Sequence, residues 1–546
     1  MMDSAEVPST IPAMLARTVA EHGKNDAIVM NGDSVTYEEL DRRTAKMARA
    51  LLAIGAGKGT RIALMAPDGV LWLTTFLAAL RIGALVPAFS TLATASELAH
   101  LLRNSDAQIL IGVRRFLRHD YSQTLAAAIP GLADGKAESL RLAGAPYLRS
   151  IWLDDPDGLG WARSIDDLIA RADAPDAPDD ALLAEIEKEV SPWDNAVIIY
   201  TSGSTSLPKA VVHCQRTLAV HIRDLAAHFL LHDKERLMPL LPLFWVGGLT
   251  IALEMLLVGG TLIYPDSPKT DVVLDAMEKF RVNRINTWGP QLGKLREAAI
   301  ARGIDVDKIV GFAPIRDKDG NITPPHLVAN MLGMTESFGP YSSEPFDYRL
   351  PESKANASGR ATTGYERRAV DENGEEVPLG EIGELQLRGG ALMTGFYKVD
   401  PREVFTPDGW YATNDRASFD ADGFMYFHGR QGDMLKMAGA NVSRIEVQGA
   451  LASLPEVDLP IVVGLPDPEV GQLVVAAVVP AEGAHPTEEE LKAALREKLS
   501  SYKIPRRIVV ISAEDVQWTP SNKIKLVEMG ELIRERMAEA APTTVD

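Results

Sequence analysis

The sequence contains a single cysteine, Cys214, among its 546 residues. An internal disulfide and a cysteine-rich metal site are therefore excluded, and this composition is consistent with a reducing compartment. Basic residues are also scarce, because 56 Lys and Arg residues stand against 75 Asp and Glu residues, giving a formal net charge of −19. This surplus of negative charge argues against nucleic acid as a partner, but a few local cations can still hold a small anion.

Long hydrophobic runs are missing as well. The two most apolar stretches are residues 69–80, which Arg81 ends, and residues 250–264, which Glu254 and a Gly-Gly pair interrupt. Neither stretch can cross a bilayer, so we expect no stable membrane insertion. The first eight residues lack a basic segment followed by an apolar core, so we predict no signal peptide and expect a cytoplasmic protein.

Helical and strand-like segments alternate along the first half of the chain. Residues 37–54 carry apolar side chains at helical spacing, and residues 61–65 have the composition of a strand. The alternation continues through segments such as 71–82, 107–112 and 284–288. This pattern predicts an α/β fold whose sheets are mostly parallel.

The character of the chain changes beyond Gly359, where short strands are separated by Asp/Gly turns. Such a pattern predicts a β-rich subdomain, and a barrel is one form it can take. We therefore expect a large N-terminal domain at residues 1–430, made of two α/β subdomains and a barrel-like part at about 360–430. A small α+β domain is expected at residues 431–546.

A loop of small hydroxylated residues follows the strand-like residues 196–199. It reads Tyr200-Thr-Ser-Gly-Ser-Thr-Ser-Leu-Pro-Lys209. Small side chains let backbone N–H groups face a phosphate, hydroxyls add donors, and the lysine adds a positive charge. An exposed Ser/Thr/Gly loop is the ordinary interpretation of such a segment taken alone. The candidate phosphate ligands are Thr201, Ser202, Gly203, Ser204, Thr205 and Lys209.

Four later segments carry polar residues that suit a nucleotide site. They are Gly333-Met-Thr-Glu336, Trp410-Tyr-Ala-Thr-Asn-Asp415 with Arg430, Asp433 to Ser443, and Thr519 to Lys523. A carboxylate beside a hydroxyl, as at Glu336, can hold Mg²⁺ that carries phosphate oxygens. Asp415 can accept hydrogen bonds from ribose hydroxyls, and Lys523 can reach a site from a polar turn. Each residue taken alone is more simply a surface charge, a turn residue or a solvated lysine.

Taken in this order, the five segments resemble the adenylate-forming superfamily of AMP-binding enzymes, which includes acyl-CoA synthetases and aryl-CoA ligases. The resemblance runs from Thr36-Tyr-Glu-Glu-Leu-Asp41 to Lys525. It implies an acid–thiol ligase that converts a carboxylic acid and ATP into an acyl-adenylate and pyrophosphate, with Mg²⁺, and then passes the acyl group to CoA. It also implies that the small C-terminal domain rotates between the two half-reactions.

The resemblance assigns a role to each segment. The nucleotide-binding residues are Thr201, Ser202, Gly203, Ser204, Thr205, Lys209, Gly311, Phe312, Ala313, Pro314, Gly333, Met334, Thr335, Asp415 and Arg430. The catalytic residues are Lys523, Thr335, Glu336 and Lys436, and the metal ligands are Thr205 and Glu336. The CoA-facing surface is formed by Lys436, Gly439 and Asn441, and Gly432 is the hinge residue.

Several positions depart from the family pattern. Ser206, Asn414 and Asn522 stand where relatives often have glycine, and all three are small and polar. We expect them to tune the site without abolishing it. The segment between Pro314 and Gly333 is short beside that of many relatives, which puts the adenine contacts there in question.

The acid substrate is constrained by Pro242-Leu-Phe-Trp-Val-Gly-Gly248, which resembles the substrate-helix motif of the family. Amino-acid-activating relatives place an Asp here, and this segment has none, which disfavours an amino acid. The candidate pocket residues are Trp245, Gly248, Trp288 and Phe338. An apolar aromatic, alicyclic or fatty acid is consistent with them.

Two alternatives to a CoA ligase stay open: an enzyme that loads a carrier-protein phosphopantetheine, and a nucleotide-binding protein without catalysis. A homodimer is compatible with the sequence, which does not set the oligomeric state.

Overall fold

The computed structural model describes residues 8–30, 32–201, 208–287, 290–430, 434–437, 440–518 and 524–539. Within these residues we find no helix that is both long enough and apolar enough to span a membrane.

Residues 8–287 alternate between helices and strands. In chain order these are α1 (Ile11–His22), β1 (Asp26–Met30), β2 (Asp33–Thr36), α2 (Tyr37–Ala53), β3 (Ile62–Met65), α3 (Val70–Arg81), β4 (Val86–Ala88), α4 (Ala95–Asn104), β5 (Ile109–Gly112), β6 (Arg115–Phe116), β7 (His119–Asp120), α5 (Tyr121–Ala128), β8 (Ser150–Leu153), β9 (Arg163–Ser164), α6 (Ile165–Ala170), α7 (Asp180–Lys188), β10 (Asn195–Thr201), β11 (Lys209–Cys214), α8 (Ile222–His228), β12 (Arg236–Pro239), α9 (Val246–Val258), β13 (Thr261–Tyr264), α10 (Thr270–Lys279) and β14 (Arg284–Asn286).

These strands form two large sheets. A five-stranded sheet has the order β14-β12-β13-β1-β2 and is parallel except for the pairing of β2 with β1. The second sheet contains five parallel strands in the order β4-β3-β5-β8-β9. Strand β10 pairs with β4 and is also parallel to it. The predicted α/β fold with mostly parallel sheets is confirmed.

Local sequence explains where the helices near the site begin and how they are buried. Thr94 and Glu97 form a capping box at the start of α4, each side chain bonding to the other residue's backbone N–H. Helix α9 is apolar on all sides except for Glu254, its one charged residue, and most of its residues are buried within the main core. Gly259 ends it in the left-handed conformation, with φ of +76°.

Residues 290–430 are richer in strands. Their elements are α11 (Pro290–Ala301), β15 (Leu332–Met334), β16 (Gly339–Ser343), β17 (Arg360–Ala361), β18 (Glu366–Val370), β19 (Gly383–Arg388), β20 (Gly395–Phe396), α12 (Pro401–Val404), β21 (Tyr411–Phe419) and β22 (Met425–Arg430). Strands β18, β19, β21 and β22 make an antiparallel sheet in that order, which confirms the β-rich part. At its β22 edge the sheet continues, because the Met425 N–H donates to the Gly359 carbonyl oxygen and the Ser358 N–H donates to the Met425 carbonyl oxygen, just before β17. Strand β17 belongs to the antiparallel sheet β15-β16-β17. The barrel-like form stays a prediction.

The C-terminal part has its own sheet and cores. Its elements are β23 (Met434–Met437), β24 (Ala440–Ser443), α13 (Arg444–Ala452), β25 (Val457–Asp467), β26 (Gly471–Pro480), α14 (Glu488–Leu495), β27 (Arg507–Val510) and α15 (Leu526–Glu539). Side chains of α13 and α14 pack on one face of the sheet, and those of α15 pack on the other. The predicted boundary at residues 430/431 adjoins residues 431–433, which lie outside the described part, and stays a prediction.

Candidate active site

The predicted phosphate loop connects an antiparallel strand pair. Thr201, the last residue of β10, lies opposite Lys209, the first residue of β11. Lys209 Nζ lies 5.1 Å from the centre of the Phe396 ring in β20, which pairs with β11. The loop residues Ser202, Gly203, Ser204 and Thr205 lie outside the described residues, so their part in phosphate binding stays a prediction.

Strand β11 also contacts the turn that contains the predicted catalytic threonine. His213 Nε2 lies 2.8 Å from the carbonyl oxygen of Thr335. Because this oxygen can only accept, Nε2 carries the proton and donates it. Burial lowers the pKa of His213 to about 4, so the imidazole is neutral at pH 7. His213 therefore positions the turn as a hydrogen-bond donor and does not act as a cation.

The predicted magnesium ligand, Glu336, is fixed by two neighbours. Its side chain is buried, and the Tyr411 hydroxyl donates to Glu336 Oε1 at 3.2 Å. The backbone N–H of Met393 donates to the Glu336 carbonyl oxygen at 2.8 Å. Residue 336 is thus held both to the segment that leads into β20 and to the first residue of β21.

Strand β21 continues from Tyr411 to the predicted ribose-binding aspartate. Asp415 lies opposite Arg430 in the β21–β22 ladder. Asn414, just before it, has φ of +60°, the left-handed conformation that glycine or asparagine adopts with the least strain. This explains why asparagine can stand where relatives often have glycine. The register brings Asp415 and Arg430 side by side, as their predicted shared role requires.

The predicted adenine-side residues lie at the carboxyl end of β14. Val310 pairs with Arg284, and Gly311 follows with φ of +101°. A Cβ atom on Gly311 would lie 2.6 Å from the Ile285 carbonyl oxygen, so only glycine fits there. The next three residues, Phe312, Ala313 and Pro314, run from a buried to an exposed position. Such strand ends are where ligands bind in α/β sheets.

Gly333 and Met334 form most of the short strand β15, which pairs with β16. A Cβ atom on Gly333 would lie 2.6 Å from the Gly339 carbonyl oxygen, so the close approach of these two strands requires glycine.

Two of the predicted acyl-pocket residues have packing roles. A Cβ atom on Gly248 would lie 2.2 Å from the Pro242 carbonyl oxygen, so glycine lets the start of α9 pack on this turn. Phe338 is fully buried and its ring centre lies 4.8 Å from that of His213. Phe338 therefore belongs to the core beneath the Thr335 turn. Trp288 lies outside the described residues.

The turn before α9 is held by a residue that the sequence did not reveal. The Leu243 N–H donates at 2.8 Å to Oδ1 of Asp68, which lies in the loop after β3. Burial raises the pKa of Asp68 to about 6, although this hydrogen bond opposes the shift.

The predicted CoA-facing residues are only partly described. Lys436 is exposed, lies opposite Asn441 in the β23–β24 ladder, and has its Nζ 5.4 Å from the Phe427 ring centre. Gly432, Gly439 and Lys523 lie outside the described residues. The bridge between Trp518 and Ile524 shows that the segment carrying Lys523 connects two paired residues.

A small pocket that is partly open to solvent lies between the N-terminal and C-terminal parts. Tyr200, Thr201 and Trp245 line it from the first side, and Ser500 and Tyr502 line it from the second. The rings of Trp245 and Tyr502 meet edge to face, with centres 6.1 Å apart. Trp245 was predicted from its motif but Tyr502 was not, because no short motif predicts which loop of one domain packs against another.

The arrangement therefore joins three of the predicted segments directly. Strand β11 contacts the Thr335 turn, and the side chain of Glu336 contacts β21, which carries Asp415. Comparison with known protein families identifies two matches. Residues 15–397 match the model of AMP-binding enzymes, and residues 446–523 match the model of the C-terminal domain of these enzymes. The chain belongs to the AMP-binding enzyme family.

This AMP-binding enzyme is similar to proteins of known activity along nearly its whole length. It is 26% identical to the sulfoacetate–CoA ligase of Cupriavidus necator, over 96% of this chain and 98% of that protein. It is 28% identical to a feruloyl-CoA synthase of an Amycolatopsis species, over 88% and 91% of the two chains. The fold matches that of an amide bond synthetase from Marinactinospora thermotolerans, with a TM-score of 0.75, 24% identity, and coverage of 95% and 99%. The resemblance predicted from the five segments is confirmed.

Proposed function

We propose that this AMP-binding enzyme is an AMP-forming acyl-CoA synthetase. It activates a carboxylic acid with ATP to an acyl-adenylate, releases pyrophosphate, and transfers the acyl group to CoA. Names of its relatives support the reaction class, since the two described above are a CoA ligase and a CoA synthase. The structural observation that carries the proposal is the hydrogen bond from Tyr411 to Glu336, because it joins the predicted metal ligand to the strand that bears the predicted ribose ligand.

The surroundings of Glu336 fit a magnesium ion. Its carboxylate is buried, and Oε1 accepts a hydrogen bond from the Tyr411 hydroxyl. One oriented carboxylate suits Mg²⁺, which proteins hold through one or two carboxylates together with substrate phosphates. When bound, the ion neutralises phosphate charge, which favours attack of the carboxylate on the α-phosphorus.

The chain's own residues bind and orient the nucleotide. Asp415 accepts hydrogen bonds from the ribose hydroxyls, and Arg430 donates to the same sugar. Thr201 to Thr205 and Lys209 bind the β- and γ-phosphates, and Thr335 donates to the α-phosphate. Lys523 places its ammonium between the acid carboxylate and the α-phosphate, where it stabilises the charge that builds up during adenylation.

We further propose that the interdomain pocket admits the thiol-bearing arm of the acceptor. The pocket reaches Thr201 and Pro208, which flank the phosphate loop, and it is bordered by the aromatic rings of Trp245 and Tyr502. A narrow opening beside the nucleotide, lined by both apolar and polar side chains, suits a flexible arm that ends in a thiol. Free CoA and a carrier-protein phosphopantetheine share this arm, so the pocket alone does not select between them.

We propose an apolar carboxylic acid as the substrate. Helix α9 has no carboxylate in its first turn that could pair with an α-amino group, and the edge-to-face pair of Phe244 and Trp245 borders its start. We also propose a cytoplasmic location, which the dependence on ATP and CoA and the buried Cys214 support.

The test is a pyrophosphate-release screen over aliphatic, aromatic and polycyclic acids, with and without CoA. We expect acid-dependent release that CoA accelerates, together with AMP and an acyl-CoA product. A carrier protein that is loaded while free CoA is not would select the alternative acceptor.

Lys523→Ala and Lys525→Ala form a matched pair within this screen. The first is expected to abolish adenylation, while the second, whose Nζ lies 3.7 Å from Glu528, is expected to leave it within about twofold. ATP binding without pyrophosphate release for every acid tested would show that the chain binds the nucleotide without catalysis.

A further inference from the structure

Glu97, at the start of α4, contacts the C-terminal part of the chain directly. Ser500 Oγ lies 2.9 Å from Glu97 Oε2, and Lys503 Nζ lies 2.9 Å from Glu97 Oε1. Both partners belong to the segment that also carries Tyr502. The contact therefore adjoins the pocket between Trp245 and Tyr502, which Glu97 and Ser500 both help to line.

The contact is buried and charged. The Lys503 side chain is 4% exposed and that of Glu97 is 11% exposed. Lys503 Nζ also lies 2.7 Å from Oε1 of Glu446 in α13. Burial disfavours the ammonium, but Tyr502 and the two carboxylates outweigh it and hold the pKa of Lys503 above its usual value. Lys503 thus stays charged between two carboxylates, one from each side of the interface.

Each side of the contact keeps a partner of its own if the two parts separate. Glu97 Oε2 accepts from the Thr94 N–H at 2.9 Å in the α4 capping box, so its carboxylate is oriented before docking. Lys503 keeps Glu446, so neither buried charge is left unpaired. Such a contact can form and break repeatedly, whereas an ion pair whose members had no other partner would leave a charge unpaired each time the two parts separated.

We propose that Glu97 is a positioning residue, which holds the C-terminal domain in the orientation that forms the Trp245–Tyr502 pocket, and that this orientation serves acyl transfer to the thiol. The inference rests on the proposed acyl-CoA synthetase activity. Adenylation uses the nucleotide residues of the large domain and Lys523, and it does not use the wall that Ser500 and Tyr502 add to this pocket. Loss of the Glu97 contact should therefore slow the second half-reaction selectively.

The two half-reactions can be measured separately. Adenylation is followed by acid-dependent ATP–pyrophosphate exchange, and acyl transfer is followed by single-turnover formation of acyl-CoA from enzyme preloaded with acyl-adenylate. For Glu97→Gln we expect exchange within about twofold of wild type and acyl transfer slower by about tenfold or more, since a charge-assisted hydrogen bond is lost. Ser500→Ala should also lower the ratio of the acyl-transfer rate to the exchange rate, by a smaller factor.

Thr36→Ala is the matched control, because it removes the cap hydrogen bond to the Glu39 N–H at the start of α2 and none of the hydrogen bonds of Glu97. Equal slowing of both half-reactions by Glu97→Gln, or a ratio shift in Thr36→Ala as large as that in Glu97→Gln, would overturn the proposal. If Glu97→Gln folds poorly, Ser500→Ala takes its place, and an unchanged ratio of the two rates in Ser500→Ala would overturn the proposal. Wild-type enzyme that exchanges pyrophosphate with no acid would instead contradict the proposed function itself.

Discussion

Tyr411 donates its phenolic hydroxyl to Glu336 Oε1 at 3.2 Å, between buried side chains 75 residues apart in the chain. Glu336 lies in the turn whose Thr335 carbonyl is bound by His213, and Tyr411 begins the strand that leads to Asp415. This hydrogen bond links the predicted metal ligand to the strand that carries the predicted ribose ligand. Orienting such groups in advance is how an enzyme lowers the cost of bringing two anions together.

The first prediction concerns this hydrogen bond. In Tyr411→Phe the Glu336 carboxylate loses one donor and becomes free to rotate, so the Mg²⁺ concentration that gives half-maximal pyrophosphate release should rise about five- to tenfold. This corresponds to about 1 kcal/mol for one hydrogen bond. The measurement is a Mg²⁺ titration at fixed ATP.

Tyr426→Phe is the control for that experiment. Tyr426 lies in β22, the strand next to β21 in the same sheet, and its hydroxyl donates to Asp420 Oδ2 at 3.3 Å instead of to Glu336. It should lose a comparable hydrogen bond without altering the Mg²⁺ dependence. An unchanged Mg²⁺ titration in Tyr411→Phe would show that the Tyr411 hydroxyl does not orient the metal ligand.

The second prediction tests Asp415 with a modified nucleotide. Wild-type enzyme should prefer ATP over 2′-deoxy-ATP by about tenfold or more in kcat/KM, because a hydroxyl that bonds to a carboxylate contributes about 1.5–3 kcal/mol. Asp415→Ala should lower kcat/KM for ATP strongly and for 2′-deoxy-ATP much less, so that the preference falls towards one.

Asp347→Ala serves as the comparison, since Asp347 lies outside the β21–β22 ladder that joins Asp415 to Arg430. It should retain the wild-type preference for ATP. A preference that persists in Asp415→Ala would mean that another residue binds the ribose.

Periodic patterns in the sequence were sufficient to locate most elements. The helix expected at residues 37–54 is observed as Tyr37–Ala53, because its apolar spacing and the Thr36 cap are local signals. The α+β composition predicted for the C-terminal part is observed as well, and its first helix is Arg444–Ala452. Order and spacing of the five segments were likewise enough to identify the family.

Contacts between distant segments could not be predicted in the same way. The Tyr411–Glu336 bond depends on the register of β21, and the Glu97–Lys503 pair joins residues 406 positions apart. The capping box formed by Thr94 and Glu97 is a local feature that marks the start of a helix, and it carries no information on the contact with Lys503. Phe338 was named as a candidate pocket residue, and its buried ring packs against that of His213, a contact that no local pattern predicts.

The third prediction uses the backbone of Asn414, whose φ is +60°. Asn414→Gly should fold normally and keep a KM for ATP within about twofold of wild type, because glycine adopts this conformation freely. Asn414→Val should destabilise the protein by about 1–2 kcal/mol and raise the KM, since a β-branched residue is strained there. Melting temperature and ATP kinetics of the two variants form a direct comparison. Equal behaviour of both would show that the turn before Asp415 can relax.

The fourth prediction concerns the pH dependence of stability. Glu254 is fully buried in α9, and its Oε2 has no hydrogen-bond partner among the described residues. Burial raises its pKa to about 8, and nearby Arg284 opposes this only in part. Between about pH 4.5 and pH 8 the unfolded chain releases this proton while the folded protein keeps it, so the contribution of Glu254 to stability falls as pH rises.

Glu254→Gln removes this titration while keeping the shape of the side chain. The variant should match wild type near pH 4.5 and be more stable at pH 8, with a free energy of unfolding higher by on the order of 1–3 kcal/mol. The measurement is the melting temperature of both proteins at pH 5 and pH 8, with Glu381→Gln, at an exposed position, as the variant expected to show no pH-dependent difference. A Glu254→Gln variant that is less stable than wild type at pH 8 would mean that the carboxylate is ionised and paired in the folded protein, most directly with Arg284.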